Sequence, residues 1–540
     1  MINLIHNRRE FLKFMGRTSG AALSTGFVAQ FLTACSSLPQ KINPMLPFAP
    51  LKPSFADDLS LVEGLNYRTL LMWNTYLNKR GDAFGYNNDY TAFIPISAND
   101  ALLWVNHEYP SPFFINGINP TDVKTKAHVD KERKAVGGSI VRIKRNNINE
   151  PWGFILNDPQ NRRLDGTTRI PFVGGKVLGS THAIGTLGNC AGGVTSWRTI
   201  LTCEENYDNY YGEVSYDDSG ERKLDTSVSV YKWQEHYPLP PEHYGWVVEV
   251  NPMNGQAKKH LALGRFAHEC ATTTLAADGR TVVYMGDDKD DECVYKFISK
   301  KKGSLEEGDL YVANLELGEW VLLNRDKNAI LTSAFKNQTE MLIQTRKAAK
   351  LVGGTALHRP EDVEIDPQTK AIFVAQTNHI PKGDMHGSIL KIVEEGNNPL
   401  SLKFTSSIFM TGGPQASFTC PDNFVFDKKG NLWMTTDISE KYMGNKDYAF
   451  HGNNALYYIP MSGPAAGQAL RVATAPVDAE LTGPSFDADF KTLFLSVQHP
   501  GASTVRKDGK VTSHWPKGGN SQPSPAVVTI RGPLLDKLMI

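Results

Sequence analysis

Six segments of the 540-residue chain share one pattern, in which four or five mostly apolar residues end in polar or acidic side chains. Most follow a turn such as AADGR, DPQTK or DKKGN, and successive copies lie roughly 60 to 100 residues apart. The copies are ALLWVNHEY (101–109), RTILTCEEN (198–206), RTVVYMGDD (280–288), KAIFVAQTN (370–378), the run ending at Asp437, and KTLFLSVQH (491–499). Short strands between Gly/Asp turns at a repeating interval predict an array of antiparallel sheets.

Six such units predict an all-β fold, a six-bladed β-propeller with helical and loop insertions. An up-and-down barrel fits less well, because each repeat is too long for a single strand. The segment TEMLIQTRKAAKLVGG (339–354) is predicted to be a helical insertion on one face. We expect residues 61–540 to form a single propeller domain and the proline-rich interval 36–60 to act as a tether.

The first 35 residues have the layout of an export signal. Arg8 and Arg9 precede a weakly apolar stretch, which predicts the twin-arginine export machinery as a partner. The sequence LTAC ending at Cys35 resembles a bacterial lipobox, so we expect Cys35 to carry a lipid anchor, although a cleaved signal with an incidental cysteine remains the alternative. The predicted location is therefore the periplasm, or the outer membrane through the anchor.

Charge composition argues against a nucleic-acid partner. Lys plus Arg and Asp plus Glu each number 57, so the chain lacks the basic excess that phosphate backbones require. Apart from Cys35, five cysteines remain, and their spacing shows no zinc-type Cys-x-x-Cys pair. An odd number in an exported protein leaves at least one thiol unpaired.

The segment CPDNFVFDKKGNLWMTTDI (420–438) is predicted to be a hairpin with Asp422 and Asp437 at the same edge. Applying this geometry to the other repeats places Cys190, Glu269, Glu361 and Asp422 at one mouth of the central channel. The second-strand ends add Glu108, Glu204, Glu205, Asp287 and Asp288. Clustered carboxylates need cations to stay ionised together, and oxygen ligands suit Ca²⁺ or Mg²⁺ whereas a thiolate suits a softer metal. The sequence thus predicts a mixed-metal site.

Each of these residues has an ordinary alternative. Acids at strand ends are often solvated, and a lone Cys190 is commonly an inert buried thiol. Arg359 is equally suited to a surface ion pair with Glu361 or Asp362. The repetition at matching positions in different repeats is what favours a site.

Several segments resemble the PhoX-type alkaline phosphatases, across residues from about 60 to 505. The matching segments are WVNHEY (104–109), GNCAGGVTSWRTILTCEENYDNYYG (188–212), GRFAHECA (264–271), VVYMGDDKDDECVYKFIS (282–299), RPEDVEI (359–365), CPDNFVFDKKGNLWMTTD (420–437) and LFLSVQHPG (493–501). The resemblance implies a six-bladed propeller that holds an iron–calcium cluster, with Fe³⁺ and Ca²⁺ as cofactors, and hydrolyses phosphate monoesters.

By this resemblance, Cys190 would be the thiolate ligand of iron. Glu269, Glu361 and Asp422 would be carboxylate ligands of the cluster, and Arg359 would clamp the phosphate, acting with Glu361 and Asp422 in catalysis. Glu108, one or both of Glu204 and Glu205, and less strongly Asn106, would complete the calcium coordination. His107, His268 and His499 are expected to support the ligands by hydrogen bonds.

Two other functions remain open at this stage. A calcium-dependent lactonase or esterase on the same architecture would need neither a thiolate ligand nor Arg359. A non-catalytic propeller would bind a partner on one face and use calcium only structurally. For the phosphatase we expect a small-molecule phosphate ester as substrate and a monomeric protein.

Overall fold

The six repeated segments become the second strands of six sheets, which are antiparallel except for one parallel pairing, between Ala257–His260 and Arg169–Val173. The computed structural model describes residues 46–217, 219–507 and 509–540. Each sheet is a blade, numbered here in chain order. Blade 1 contains Asn88–Ser97, Asp100–His107, Gly137–Lys144, Gly153–Phe154 and Arg162–Leu164; blade 2 contains Asn189–Val194, Ile200–Glu204, Val247–Val250, Ala257–His260, Arg169–Val173 and His182–Ile184; blade 3 contains Thr272–Leu275, Thr281–Gly286, Val294–Ser299, Gly308–Asn314 and Glu319–Leu322.

The remaining three blades continue the ring. Blade 4 contains Pro360–Ile365, Ile372–Gln376, Ser388–Glu394 and Phe404–Thr411; blade 5 contains Pro421–Phe426, Leu432–Thr436, Ala455–Ile459, Leu470–Thr474 and Ser60–Leu61; blade 6 contains Glu480–Phe486, Leu493–Gln498, Ala526–Arg531 and Asn66–Met72. The innermost strand of every blade contacts those of the two neighbouring blades, with blade 6 beside blade 1. The predicted six-bladed propeller is confirmed.

The other elements lie in the connections. The α-helices are Pro112–Asn116, Lys126–Ala135, Asp208–Tyr211, Ala329–Ala334, Gln338–Ile343, Thr345–Leu351 and Pro533–Met539, and the 3-10 helices are Trp233–Glu235, Pro241–His243, Leu261–Leu263, Arg325–Lys327, Ile380–Lys382, Glu395–Asn397 and Ala502–Lys507. A separate hairpin pairs Glu213–Tyr216 with Arg222–Asp225. The helical insertion predicted at 339–354 is present.

The second strands are buried along nearly their whole length, because each blade packs against a neighbour on both of its faces. This burial explains why they are continuous apolar runs rather than alternating ones. The hydrophobic core therefore lies between the blades, as where Trp433 of blade 5 packs in one cluster with Leu495 of blade 6.

Two blades are completed by strands from near the start of the described chain. Asn66–Met72 pairs with Ala526–Arg531 as the outer strand of blade 6, and Ser60–Leu61 pairs with Leu470–Thr474 in blade 5. No sequence feature predicted these pairings, since a strand's partner is set by the closure of the ring.

The predicted tether, 36–60, is described from residue 46 onward, and this part is held against the propeller. The ring of Phe48 lies 6.0 Å from that of Tyr458, and the Leu51 N–H donates to the Arg471 carbonyl at 3.0 Å. Leu59 is buried. Apolar side chains every few residues thus hold this part of the interval against the propeller, although the prolines by themselves predicted a linker.

The predicted export signal and Cys35 lie outside the described residues. Within those residues, no helix has the length and apolar character needed to cross a bilayer.

Candidate metal and phosphate site

The site begins with a backbone feature that recurs in five blades. Two positions before the first cavity side chain of each of these blades, the chain passes through a residue with φ between 43° and 61°. These residues are Asn87, Gly188, Arg359, Cys420 and Asp478, and the side chains that follow them are Asp89, Cys190, Glu361, Asp422 and Glu480. Positive φ is uncommon for residues other than glycine and concentrates at functional sites. The repeated turn sends an equivalent side chain of each of these five blades towards the channel.

β-bulges complete this arrangement in four blades. The pairing register shifts between Asn88 and Thr91, and equally around Cys190, Glu361 and Asp422. A bulge leaves a residue outside the regular ladder and redirects its side chain. In these four blades the bulge releases Asp89, Cys190, Glu361 and Asp422 from the ladder at the mouth of the channel.

Each blade contributes two side chains to one cavity of about 530 Å³. One comes from the start of the first strand and the other from just after, or at the end of, the second strand. In blade order the pairs are Asp89 and Glu108, Cys190 and Glu205, Glu269 and Asp288, Glu361 and Asn378, Asp422 and Asp437, Glu480 and Gln498. These twelve residues supply nine carboxyl groups and one thiol to the cavity, and the Asp422–Asp437 pair predicted at one edge is among them.

Three groups of these side chains bring their ligand atoms within 4.8 Å of one another. They are Asp89, Glu108 and Cys190; Cys190, Glu205 and Glu269; and Glu269, Glu361 and Asp422. Cys190 and Glu269 each belong to two groups, so the groups adjoin. Adjoining sites with shared ligands fit several cations held side by side better than a single ion.

Some of the possible metal-ligand atoms lack the hydrogen-bond donors that a buried oxygen needs, which also favours bound metal ions. Glu205 Oε1 is buried and accepts no hydrogen bond from the residues that the structure describes. Cys190 Sγ lies 3.3 Å from both Asp89 Oδ2 and Glu269 Oε1, so both of its hydrogen-bond partners among the described residues are carboxylate oxygens. A buried carboxylate without a donor is costly unless a cation binds it.

The pKa values reflect the same crowding. Burial raises the pKa of Asp89 to about 7, and burial together with the Asp89 charge raises the pKa of Glu108 to about 8. Burial, followed by the neighbouring carboxylates, raises the pKa of Glu269 and Glu480 well above the usual range. Burial, followed by the charges of Asp89 and Glu269, also raises the pKa of the Cys190 thiol well above its usual value. Bound cations would reverse these shifts and hold the groups ionised.

Arg359 is the cationic side chain of the cavity floor. Its Nε and Nη2 donate to the two oxygens of Asp288 at 2.9 and 2.8 Å, and Nη2 also lies 2.8 Å from Glu361 Oε1. Within the described chain, its Nη1 makes no hydrogen bond. Burial would raise the pKa of Asp288, but the Arg359 charge outweighs it and lowers that pKa. The guanidinium is thus fixed on one side, with a free N–H edge beside the carboxyl groups.

Seven of the eight residues predicted for the site line this cavity: Glu108, Cys190, Glu205, Glu269, Arg359, Glu361 and Asp422. Glu204 does not, because it points into blade 2. Its Oε1 lies 2.6 Å from Lys259 Nζ, with both side chains fully buried, and its Oε2 accepts from the Trp246 N–H at 3.2 Å. Consecutive strand residues face opposite sides, so only one of the two glutamates can reach the cavity.

Of the weaker candidates, Asn106 supports the site from behind, whereas the side chains of His107 and His268 bond to Ser139 and to the Gly264 carbonyl and not to a ligand candidate. Asn106 donates to the Cys190 and Ala191 carbonyls and so holds the backbone of the thiol residue. His107 and His268 are buried outside the cavity. Only His499 lines it, with Nε2 3.4 Å from Glu480 Oε2.

Sequence reasoning missed Asp89 and Glu480. Both follow the spacing that identified the others, since Asp89 precedes Glu108 by 19 residues and Glu480 precedes Gln498 by 18. The pattern identifies a first-strand residue only in the four middle repeats. Extending it to all six would have found both carboxylates.

Comparisons with known proteins agree with this geometry. A family model described as alkaline phosphatase PhoX matches residues 46–501. Among solved structures, the chain is similar to Pseudomonas fluorescens PhoX in complex with vanadate, a transition-state analogue, with 29% identity over 91% of this chain and 98% of that chain and a TM-score of 0.79. No significant relative was found among curated proteins.

Two more distant structures are also similar. A gluconolactonase from Xanthomonas campestris is 10% identical over 90% of this chain and 99% of its own, with a TM-score of 0.35. A protein of unknown function from Dyadobacter fermentans is 11% identical over 87% of this chain and 100% of its own, with a TM-score of 0.38. At this distance neither bears on function.

Proposed function

The chain belongs to the family of the alkaline phosphatase PhoX, and on this premise we propose that it hydrolyses phosphate monoesters to inorganic phosphate at an iron–calcium cluster on the propeller axis. The observation that carries the proposal is the set of three adjoining ligand groups, with one thiol among carboxylates, beside a guanidinium that keeps a free edge. The similarity to a PhoX that binds vanadate supports the same site for the phosphoryl group.

The residues that would hold the metals are Asp89, Glu108, Cys190, Glu205, Glu269, Glu361 and Asp422. The thiolate of Cys190 suits iron, and the carboxylate oxygens around it suit calcium. When bound, the metals would neutralise the phosphate oxygens and polarise the phosphoryl group. Asp89 joins this set on the structure alone, and Glu204 leaves it.

Arg359 would bind non-bridging phosphate oxygens. Two bonds to Asp288 hold the plane of its guanidinium, so its remaining N–H groups are oriented before substrate arrives. Phosphoryl transfer depends mainly on positioning and on neutralising charge, which is what a fixed guanidinium beside bound cations provides. Cys190 and Arg359 are the residues that a lactonase or a calcium-only platform would not need, and no observation favours either alternative.

We further propose that residues 1–35 direct export through the twin-arginine machinery, with a lipid anchor at Cys35. Both features belong to the sequence pattern. Export after folding would suit a protein whose cofactors are bound by residues from all parts of the chain.

The test is to purify the full chain without chelators and to measure iron, calcium and the hydrolysis of an aryl phosphate. Cys190→Ser should lose iron and activity. Cys420→Ser is the matched control, because Cys420 also lines the cavity but belongs to none of the three groups. A wild-type protein that contains calcium but no iron would refute the thiolate–iron assignment, and a metal-loaded protein without phosphatase activity would refute the function.

A further inference from the structure

Blade 3 lacks the left-handed turn that precedes the cavity residues of the other five blades. The equivalent position, two residues before Glu269, is Ala267, which does not have positive φ. Glu269 nevertheless reaches the cavity and belongs to two of the three ligand groups. Something else must fix the chain here.

The backbone before Glu269 is held by the carboxylate of Asp287, which is buried outside the cavity. Asp287 Oδ1 accepts the Ala267 N–H at 3.2 Å, and the Asp288 N–H donates back to the Ala267 carbonyl at 3.1 Å. His268 and Asp287 also form an isolated antiparallel bridge. Asp287 thus ties the strand that leads into Glu269 to the strand end that carries Asp288, the partner of Arg359.

Asp287 is itself held by one side chain from the helical insertion. Arg346 lies in the helix Thr345–Leu351, and its Nε donates to Asp287 Oδ2 at 2.8 Å while its Nη2 donates to Oδ1. The Asp287 side chain has no exposed surface, whereas that of Arg346 is 26% exposed. A two-pronged guanidinium–carboxylate contact fixes orientation as well as charge.

The insertion is joined to the same strand a second time. The Arg265 N–H donates to Thr345 Oγ1 at 3.1 Å and to the Leu342 carbonyl at 2.9 Å. The residue beside Arg346 and the start of the 265–269 segment therefore move together. Arg346 is placed to transmit the position of the helix to Glu269.

We propose that Arg346 is a positioning residue of the metal site, which replaces through Asp287 the left-handed turn that blade 3 lacks. This inference rests on the proposed metal-dependent function. Without Arg346, the Asp287 carboxylate stays buried without its cation, and the hydrogen bond that places Ala267 weakens. Residues that orient metal ligands typically change metal affinity or activity by about 10- to 100-fold when replaced.

The experiment compares Arg346→Met with Lys350→Met in the full-length protein. Lys350 lies one helical turn further on and pairs with Glu292 at 2.6 Å, so its removal also deletes a cation of this helix. It makes no contact with Asp287. Metal content after dialysis against a calcium buffer, kcat and KM are measured for both, together with the melting temperature.

We expect Arg346→Met to lose at least about tenfold in metal affinity or kcat with a small change in KM, and Lys350→Met to match the wild type. Arg346→Ala should regain metal and kcat when free guanidinium is added below denaturing concentrations, because the side chain is reached from solvent. Such rescue would also establish the role if Arg346→Met does not fold.

Three outcomes would overturn the proposal. One is an Arg346→Met protein with wild-type metal content and kcat; another is an equal loss in Lys350→Met; the third is Arg346→Ala that guanidinium does not restore. A wild-type protein that binds no metal would instead refute the proposed function, and this inference with it. Metal content separates the two failures, because it is measured without substrate.

Discussion

The adjacent residues Glu204 and Glu205 are predicted to respond in opposite ways to the same substitution. Glu204 is paired with Lys259 inside blade 2, at 2.6 Å and with neither side chain exposed. Glu205 belongs to a ligand group in the cavity. Glu204→Gln should therefore lower stability and leave metal content unchanged, whereas Glu205→Gln should lower metal content.

The expected size follows from the surroundings of Lys259. Besides Glu204, its ammonium has the His243 carbonyl at 2.9 Å and the face of the Tyr244 ring at 4.6 Å. Removing one member of a buried ion pair leaves the other charge without compensation and costs about 3–5 kcal/mol. Replacing both members with apolar residues of similar size costs much less, so Glu204→Leu with Lys259→Met should recover most of the loss.

The assay combines thermal unfolding with elemental analysis of each variant. Because a chain of this size often unfolds irreversibly, unfolding rates at a fixed temperature should accompany the melting temperatures. For Glu205→Gln, we expect the chelated protein to be no less stable than chelated wild type, since one charge of a repelling set is gone. The reasoning is refuted if Glu204→Gln loses metal while keeping its stability, or if the double variant is no more stable than Glu204→Gln.

Three further predictions concern the charges of the site and of blade 2. Chelation of calcium should lower the melting temperature and re-addition should restore it, with a free-energy effect of about 2.7 kcal/mol at a concentration 100 times Kd; an unchanged melting temperature would contradict the cation requirement of the cavity. Arg359→Lys should lower kcat/KM by about 10- to 100-fold, since a lysine cannot bind both Asp288 oxygens and a phosphate, and steady-state kinetics with an aryl phosphate would measure it. Glu249 is buried, which alone would raise its pKa, but its hydrogen bond and ion pair with His260 lower the pKa to about 2. Its stabilising effect is therefore fully present above about pH 4.3, the usual unfolded value, and is lost as the pH falls through about 2. The melting temperatures of Glu249→Gln and wild type should differ at pH 7, differ less at pH 3 and converge only below about pH 2.

The repeated strands were predictable because packing between blades requires a recognisable residue pattern in the sequence. A strand buried on both faces needs a continuous apolar run, and six such runs with their turns were enough to predict six blades. The acids at the strand ends followed from hairpin geometry. The same geometry places Cys190, Glu269, Glu361 and Asp422 at one mouth of the channel, where the structure also has them.

Other features depend on the direction of single side chains or on distant partners. Nothing local distinguishes Glu204 from Glu205, because the difference is one residue of strand alternation. The left-handed turns at Arg359 and Cys420 occur at residue types that rarely adopt them, so propensity gives no signal. Arg346 contacts Asp287 from 59 positions away, and only the folded structure brings the two together.

The outer strand of blade 6 sets an order of events for biosynthesis. Asn66–Met72 is translated early, yet its partner Ala526–Arg531 emerges more than 450 residues later. Until then the early strand has an unpaired edge. A chain interrupted before residue 526 would lack the two outer strands of blade 6 as a pair, although the innermost strand Glu480–Phe486 would already be present to contact blade 1. Blade 6 is therefore completed by pairing the two ends of the propeller sequence, and this step comes late in synthesis.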